Sequence, residues 1–442
     1  MVHLIGNGRL ITRNSNAPFF GDGCVAVEGG SILDYGGTAQ MRQKYPDAVF
    51  DDAEGRLIMP GLINAHGHIY SALARGMQLK DSPVSKNFLQ ILQNLWWRVD
   101  RALGLKEIHN SAMTTYIDGI KNGVTTVIDH HASAGAVSGS LAAIAEAAKR
   151  LGVRTSLCYE VSDRDGSDIA DQGIRENAAF IRYANAQNSD MLHAMFGMHA
   201  SFTISQPTLE RCVETAGDAG FHIHVAEGIE DLRDCQSKYG MRVVQRLHSA
   251  GVLKPNTIAV HCIHIDDGEM ALLKETDTIV VHNPESNMGN AVGYSAALHM
   301  MDKGILVGLG TDGFTTDMFE SLKAANILHK HQLKDPGVAW AESPRMLFEN
   351  NRKICGRLFG REVGTIKKGA AADIIVVDYS APTPVSAGNI DAHMLFGLMG
   401  RSVFSTMVGG KYVMKDRDIL TADEAKVYAD SAQCAQAFWK RV

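Results

Sequence analysis

The stretch MPGLINAHGHIYSALARGM, residues 59–77, ends an apolar run with two histidines that lie one residue apart. The apolar run that ends at His66, RLIMPGLINAH (56–66), is the first of eight such runs, which are separated by longer helical stretches. This pattern is typical of parallel βα units. The others are GVTTVIDHH (123–131), RTSLCYEV (154–161), LHAMFGMHA (192–200), FHIHVAE (221–227), TIAVHCIH (257–264), TIVVHNP (278–284) and ILVGLGTDG (305–313). Eight strands close a TIM-like (β/α)₈ barrel, so the predicted fold class is α/β with such a barrel.

The two ends of the chain have a different pattern, with short alternating runs and paired glycines. Gly29-Gly30 and Gly409-Gly410 each lie between two such runs, as the turn of a β-hairpin does. We therefore predict a small β-sandwich built from both ends, residues 1–56 and 364–420.

Two further segments complete the predicted organisation. Residues 57–363, between the two ends, are predicted to form the barrel that carries the catalytic site. After Leu420, Thr421 and Glu424 have the spacing of a capping box, which predicts a C-terminal helix over 421–442.

Composition excludes several classes of protein. The 442 residues are 45% hydrophobic and 21% charged, which is typical of a folded chain with a large core. The formal net charge is −6 and no run of Lys and Arg stands out, so we predict no nucleic-acid partner, no membrane partner and a small-molecule substrate. No apolar run reaches the roughly 18 residues of a membrane span, and MVHLIGNGRLITRN (1–14) lacks the basic-then-apolar pattern of a signal peptide, so we expect neither export nor anchoring.

The cysteines indicate the compartment. There are seven, an odd number, and no two form a CxxC pair. This argues against a disulfide framework and against a thiolate zinc site. A reducing cytoplasm is therefore the predicted location.

Polar side chains end nearly every apolar run. In chain order they are His66, His68, Asp129, His130, His131, Glu160, His199, His224, Glu227, His261, His282, Asn283 and Asp312. In barrels of this kind the catalytic residues lie at the carboxyl ends of the strands. We therefore expect these side chains to share one mouth, although ordinary loop residues would explain some of them.

His66 and His68 are candidate metal ligands. Side chains two apart on a strand point to the same face, so both histidines could bind one ion. An isolated HxH motif, however, is more often hydrogen-bonded at a strand end than bound to metal. His224, with His222 as the alternative, and Asp312 would complete a site of nitrogen and oxygen ligands with room for water. The residues alone do not decide between His222 and His224.

In these motifs the chain resembles the aminohydrolase branch of the amidohydrolase superfamily. That branch includes guanine, cytosine and adenosine-type deaminases and the triazine hydrolases. The resemblance covers the whole chain. Longer stretches are similar to the SsnA group within that branch, namely NLWWRVDRAL (94–103), VIDHHAS (127–133), SNMGNAVGY (286–294) and LGTDGFTTDMFE (309–320).

The resemblance implies a role for each site residue. It places His66, His68, His224 and Asp312 as metal ligands, and Asp312 also takes a proton from water. Glu227 matches the deaminase acid/base, and His261 matches the histidine that orients the water or the substrate.

The number of metal ions follows from a residue that is missing. Relatives with two metals use a lysine on the fourth strand, and the fourth run, MLHAMFGMHASF (191–202), has none. The resemblance therefore implies one divalent ion, with zinc as the first candidate and iron as the second.

Substrate contacts are predicted at Arg75, Trp96, His199 and His282. For Arg75 a solvated loop arginine is an equal alternative, and Trp96, beside Trp97, also suits a half-buried packing role. His199 matches a histidine that often contacts substrate in the branch.

The predicted function is metal-dependent hydrolysis of a carbon–nitrogen bond other than a peptide bond. The leading reading is a deaminase of a heteroaromatic amine, such as a purine, a pyrimidine or a related catabolite, and the resemblance favours purine catabolism. The alternatives are hydrolytic loss of chloride or alkylamine from a triazine, and a non-catalytic scaffold. We expect a homo-oligomer, first of all a dimer.

Overall fold

Strands form at each of the eight predicted runs in the computed structural model, which describes residues 1–79 and 81–442. In chain order the strands are β1 (His3–Ile11), β2 (Phe19–Glu28), β3 (Ser31–Gly37), β4 (Val49–Asp52), β5 (Leu57–Pro60), β6 (Leu62–Gly67), β7 (Val124–Asp129), β8 (Arg154–Leu157), β9 (Leu192–Ala194), β10 (Phe196–Ala200), β11 (Phe221–Val225), β12 (Ile258–His261), β13 (Ile279–His282), β14 (Val307–Leu309), β15 (Ile374–Val377), β16 (Val403–Val408), β17 (Lys411–Lys415) and β18 (Asp418–Ile419).

Helices follow most of the strands. They are α1 (Thr38–Lys44), α2 (Phe88–Ile91), α3 (Trp97–Ala102), α4 (Leu105–Lys121), α5 (Ser140–Leu151), α6 (Ser167–Gln187), α7 (Gln206–Ala216), α8 (Ile229–Tyr239), α9 (Val243–Ser249), α10 (Asp267–Glu275), α11 (Pro284–Gly289), α12 (Ala297–Asp302), α13 (Met318–Leu333), α14 (Glu342–Pro344), α15 (Asn351–Phe359), α16 (Ile390–Gly397) and α17 (Glu424–Phe438). A 3₁₀ helix spans Ile69–Ala74, and a π-helical turn at Leu92–Trp96 joins α2 to α3. Within the two described ranges, no helix combines the length and apolar character needed to cross a membrane.

The strands between the two ends of the chain form two parallel sheets. Among the described residues one sheet has the order β6-β7-β8-β9 and the other the order β10-β11-β12-β13-β14. Every residue of β7, β11, β12 and β13 is buried, as expected for parallel strands covered on both faces. The predicted α/β fold with parallel strands is confirmed.

Backbone hydrogen bonds connect the two parallel sheets at both edges. Beside β8 and β10, the Met195 amide donates to the carbonyl of Leu157 at 3.0 Å. Beyond β14, the Thr311 amide donates to the carbonyl of His66 at 3.0 Å, and the His68 amide donates to the carbonyl of Asp312 at 3.3 Å. These bonds place the end of β14 next to the end of β6.

An apolar core lies between the two parallel sheets. Ile63 and Ile128 of one sheet belong to the same buried cluster as Val260 and Val281 of the other. Because alternate residues of a strand share a face, this cluster shows that the two sheets face each other. The functional side chains lie beyond it, at the carboxyl ends of the strands.

Strands from both ends of the chain share one sheet. Among the described residues it has nine strands, in the order β18-β17-β16-β15-β5-β1-β2-β3, with β4 beside β1. The first predicted run is divided at Gly61, where a Cβ atom would lie 2.3 Å from the Thr125 side chain, so β5 joins this sheet and β6 the parallel one. The predicted second layer of a sandwich stays a prediction.

Both predicted glycine turns are confirmed. Gly29 and Gly30 have φ angles of 56° and 82°, and Gly409 and Gly410 have 54° and 75°. Positive φ at both central residues is the conformation that a tight hairpin favours and that glycine adopts most easily. The turns touch each other, since a Cβ atom on Gly410 would lie 3.0 Å from the Gly30 Cα.

The C-terminal helix is present, but its predicted capping box is wrong. Helix α17 begins after Asp423, whose carboxylate accepts a hydrogen bond from the Lys426 amide at 3.0 Å. An aspartate at this position satisfies an otherwise unpaired helical N–H, so Thr421 is not needed as the cap. Glu424 instead pairs with Lys121 on α4.

A buried ion pair links the parallel strands to the nine-stranded sheet. The Arg154 side chain on β8 is fully buried, and its Nε lies 3.2 Å from the Oδ2 of Asp373, which is 1% exposed. Asp373 also accepts a bond from the Gly409 amide at 2.8 Å. Because both charges are buried, each stabilises the other, and loss of one would leave an uncompensated charge in the interior.

We expect Arg154→Met to lower the free energy of unfolding by about 3–5 kcal/mol, because Asp373 would keep a buried charge without its partner. Urea unfolding followed by circular dichroism measures this. The control is Arg357→Met, which removes an exposed pair with Asp277 and should cost at most about 1 kcal/mol. Equal losses for the two variants would contradict a structural role for the buried pair.

Candidate metal centre and active site

The predicted metal-binding side chains lie together where the parallel strands end. Possible ligand atoms of His66, His68 and His224 lie within 4.8 Å of one another, as do those of His66, His261 and Asp312. The His68 Nε2 is 3.3 Å from the His224 Nε2 and 3.3 Å from the Asp312 Oδ1. Imidazole nitrogens and a carboxylate oxygen are ligands that zinc accepts. The structure therefore brings all four predicted ligands together.

Unusual backbone angles occur at two of these strand ends. His261 has a φ of 70° and Asp312 a φ of 55°, in the left-handed region that few residues other than glycine adopt. At Asp312 this conformation accompanies a 3.1 Å hydrogen bond from its amide to the carbonyl of His66. Local strain of this kind is concentrated at functional sites.

Backbone carbonyls fix the orientation of two histidine rings. The His68 Nδ1 lies 2.6 Å from the carbonyl oxygen of His130, and the His224 Nδ1 lies 3.0 Å from that of His199. Because a carbonyl oxygen can only accept, each Nδ1 donates a proton and each Nε2 keeps its lone pair for the cluster. This arrangement is usual for histidines that bind metal.

Another histidine orients His66. The His66 Nδ1 lies 2.9 Å from the Nε2 of His222, whose own Nδ1 lies 3.7 Å from the Cys158 sulfur. The His66 Nε2 is buried and has no hydrogen-bond partner among residues 1–79 and 81–442. His222 therefore lies behind the cluster and His224 within it, and the donor set fits one divalent ion.

We expect His222→Phe to weaken zinc binding by about 10- to 100-fold, because His66 would lose the group that holds its ring. Competition with a chelator measures the affinity. The matched control is His193→Phe, since His193 contacts Ser156 at 2.9 Å on β8 and is not one of the clustered residues. Unchanged zinc affinity in His222→Phe would contradict the assigned role.

The predicted acid/base residues lie beside the cluster. The His261 Nε2 is 3.3 Å from the Glu227 Oε2 and 3.4 Å from the Asp312 Oδ2. Burial, followed by the charge of Asp312, raises the pKa of Glu227 well above its usual value. Burial lowers the pKa of His261, and the Asp312 carboxylate opposes this change. Glu227 is thus the group best suited to carry and deliver a proton.

A cavity with aromatic walls adjoins these groups. Its aromatic side chains are Tyr70, Phe88, Trp96, Trp97 and Phe314. His68, His224, Glu227 and Asp312 line the same cavity, so metal-binding and acid/base groups face one space. Flat aromatic faces suit a planar heterocycle.

The structure places two of the four predicted substrate residues in this cavity. Trp96 and His199 line it. Arg75 lies outside it, with 68% of its side chain exposed and its Nη2 3.1 Å from Asp118 on α4. His282 also lies outside, fully buried with its ring against that of His329. The contact predictions for Arg75 and His282 therefore have no support in this cavity.

Sequence reasoning missed two charged residues of the cavity wall, Asp100 and Arg164. Arg164 lies 2.9 Å from Glu160 and 2.5 Å from Asp100. Glu160 was singled out as the end of the third run, and Arg164 follows it by four residues. Asp100 precedes Arg164 by 64 residues, so their pairing appears only in the folded chain.

Parallel strands that end in a histidine and carboxylate cluster, beside a buried acid, are typical of the active sites of metal-dependent hydrolases. The amidohydrolase family model matches residues 57–413. The chain belongs to the amidohydrolase family, which confirms the resemblance seen in the sequence.

Known deaminases are similar to this chain over nearly its full length. The 5-methylthioadenosine/S-adenosylhomocysteine deaminase of Pelotomaculum thermopropionicum is 30% identical over 439 residues, 98% of each chain. The 5'-deoxyadenosine deaminase of Methanosarcina mazei is 28% identical over 445 residues, 99% of each chain. A solved adenosine deaminase from Xanthomonas campestris with bound zinc is 25% identical, with a TM-score of 0.88, over 99% of this chain and 98% of that chain. The predicted class, a hydrolase of carbon–nitrogen bonds, is confirmed.

Proposed function

We propose that the protein is a metal-dependent hydrolytic deaminase of a heteroaromatic amine, with purine nucleosides of the adenosine type as its leading substrates. The observation that carries this proposal is the buried, proton-carrying Glu227, which faces an aromatic cavity beside the histidine cluster. The names of the relatives support the choice of adenosines.

One divalent metal ion, zinc first and iron second, would be held by His66, His68, His224 and Asp312. When bound, such an ion acts as a Lewis acid that lowers the pKa of water toward neutrality. The unpartnered Nε2 of His66 and the oriented rings of His68 and His224 support this ligand set.

Glu227 is the proton donor of the proposed reaction. Its carboxyl group, kept neutral by burial, donates a proton to the ring nitrogen next to the carbon that bears the amino group. Asp312 and His261 accept the proton that the attacking water releases. His261 lies 3.3 Å from Glu227, so Glu227 is protonated again and delivers a proton to the departing amine. Ammonia leaves, and a carbonyl group forms as the hydroxyl group that came from water loses its proton, which returns Glu227 to its protonated state.

The raised pKa of Glu227 also separates this function from its alternatives. An amine leaves only after it gains a proton, whereas chloride leaves without one, so a carboxyl group whose pKa is raised favours deamination over dechlorination of a triazine. A non-catalytic scaffold would have no need for four converging ligands.

We infer a finer architecture as well. The bonds at both edges and the shared core support one (β/α)₈ barrel within residues 57–363, with β6 as its first strand because β5 pairs in the nine-stranded sheet. We propose the β-sandwich of residues 1–56 and 364–420 and the helical segment 421–442 as separate units. The further proposals are a homodimer, a cytoplasmic location and a role in purine catabolism within the SsnA group. Burial of all seven free cysteines supports a reducing compartment.

The test is ammonia release from zinc-loaded protein with adenosine, 5'-deoxyadenosine, 5'-methylthioadenosine, guanine, cytosine, a pterin and a chlorotriazine. We expect release from at least one adenosine, and none from the Glu227→Gln variant. Chloride release without ammonia would favour the triazine alternative. A protein that binds zinc but releases neither product would overturn the proposed function for these compounds.

A further inference from the structure

Arg164 is the one cationic side chain among the described residues that line the cavity, setting histidines aside. Each of its three nitrogens contacts a different carboxylate: Nη1 is 2.9 Å from Glu160, Nη2 is 2.5 Å from Asp100 and Nε is 3.3 Å from Asp165. Arginine binds a carboxylate best through two parallel N–H groups. Each nitrogen of Arg164 already has an anionic partner, so a carboxylate on a substrate would have to share this arginine with three protein carboxylates.

Asp100 faces the cavity with one oxygen unpaired. Its Oδ2 contacts Arg164, while its Oδ1 is buried and has no hydrogen-bond partner in the part of the chain that the structure describes. The residue is 1% exposed, and the Nε1 of Trp97, in the same wall, is also buried and unpartnered. Buried polar groups normally have partners, so a ligand is the expected partner here.

The chemistry of these two atoms selects what can bind. A carboxylate oxygen accepts hydrogen bonds, so Asp100 recognises hydroxyl or N–H donors. The indole N–H of Trp97 donates to one acceptor. Together they suit an uncharged polar group such as a hydroxyl, while the Asp100 carboxylate disfavours an anion.

The charges around the cavity also favour an uncharged ligand over an anion. Around Arg164 the wall carries Asp100 and Glu160, and Asp165 contacts the same arginine from outside the cavity, so three carboxylates surround one guanidinium group. Repulsion between like charges is strong where water is excluded. A carboxylate carried to this part of the wall would lie beside Asp100 and Glu160, whose arginine is already shared between acids.

We propose that the cavity selects neutral adenosines over adenosines that carry a carboxylate, with Asp100 as the residue that sets this specificity. The inference rests on the proposed deaminase function and narrows its substrate class. Of the two compounds in the name of the Pelotomaculum relative, methylthioadenosine is uncharged and S-adenosylhomocysteine carries a carboxylate, so this chain would favour the first.

The test uses two substrates that differ only in charge. These are 5'-deoxy-5'-(carboxymethylthio)adenosine and its carboxamide, compared by kcat/KM for ammonia release from the zinc-loaded protein. We expect the carboxamide to be preferred at least about tenfold. Equal values, or a preference for the acid, would overturn the inference while leaving the deaminase function intact.

A binding measurement separates this inference from the proposed function. Calorimetric titration of both compounds into zinc-loaded Glu227→Gln protein compares their affinities without turnover. Tighter binding of the carboxamide supports the charge selection even where no ammonia is released from any adenosine. If no adenosine released ammonia, the proposed deaminase function would be overturned, and the inference about charge selection would still stand on the binding data.

Two variants assign the selection to Asp100. Asp100→Asn keeps the shape of the side chain and removes its charge, so we expect the preference for the carboxamide to fall by about tenfold. Asp165→Asn is the matched control, because Asp165 contacts the same arginine but is not one of the residues that line the cavity. An equal fall in both variants would show that Arg164, rather than Asp100, sets the preference and would overturn the assignment.

Discussion

Glu227→Gln is expected to lower kcat for ammonia release by about 10³-fold, the range in which a positioned general acid contributes. Glutamine keeps the size of the side chain and cannot donate an acidic proton to the ring nitrogen. Burial holds the pKa of Glu227 well above its usual value, so the wild-type group keeps that proton to a higher pH than an exposed carboxyl group does. Steady-state kinetics with the best adenosine substrate measures the loss.

Zinc content and thermal unfolding serve as readouts beside activity in this variant. Both should stay near the wild-type values, because Glu227 is outside the proposed ligand set. Glu275→Gln, at the exposed end of α10, is the matched control and should keep full activity. A Glu227→Gln protein with more than about one tenth of the wild-type kcat would contradict a general-acid role.

Removal of the metal ligands is expected to have the largest effect of all. In His66→Ala and Asp312→Ala we expect zinc content to fall well below one ion per chain and activity to fall by at least about 10⁴-fold. The reason is that unassisted water, with a pKa of about 16, supplies almost no hydroxide at neutral pH. Metal analysis of dialysed protein measures the loss of zinc, and the ammonia assay measures the loss of activity.

The control for these variants is an exposed histidine. His299 lies on α12 with 53% of its side chain exposed, and His299→Ala should keep both zinc and activity. If His66→Ala and Asp312→Ala fold and retain a full zinc complement, the ligand assignment is wrong. Chelation of the wild-type protein, followed by recovery of activity with added zinc, would support it.

The sequence predicted those parts of the fold that depend on local pattern. Each apolar run became a strand because its periodicity and flanking turns act within a few residues, and the turns at Gly29-Gly30 and Gly409-Gly410 formed because few other residues adopt their φ angles. The division of the first run at Gly61 was not predictable in this way. It depends on the close approach of Thr125, which is distant in sequence.

The site was predictable to the extent that strand ends meet at one edge. His66, His68 and Asp312 were named from their positions, and the choice of His224 over His222 required the family resemblance. The pairing of Asp100 with Arg164 had no local signal, since it joins α3 to a loop 64 residues later. His282 does not line the cavity, because a side chain that ends a strand can also turn into the core, as its packing against His329 shows.

The nine-stranded sheet has a consequence for how the chain is made. Strand β5 pairs with β15, so that Leu57 lies opposite Val377 and Pro60 opposite Ile374. The ribosome must therefore deliver most of the polypeptide before β5 finds its neighbour, and contacts between residues so distant in sequence form slowly. Until β15 emerges from the ribosome, that edge of β5 has no partner strand, and an unpaired strand edge is a place where chains can associate.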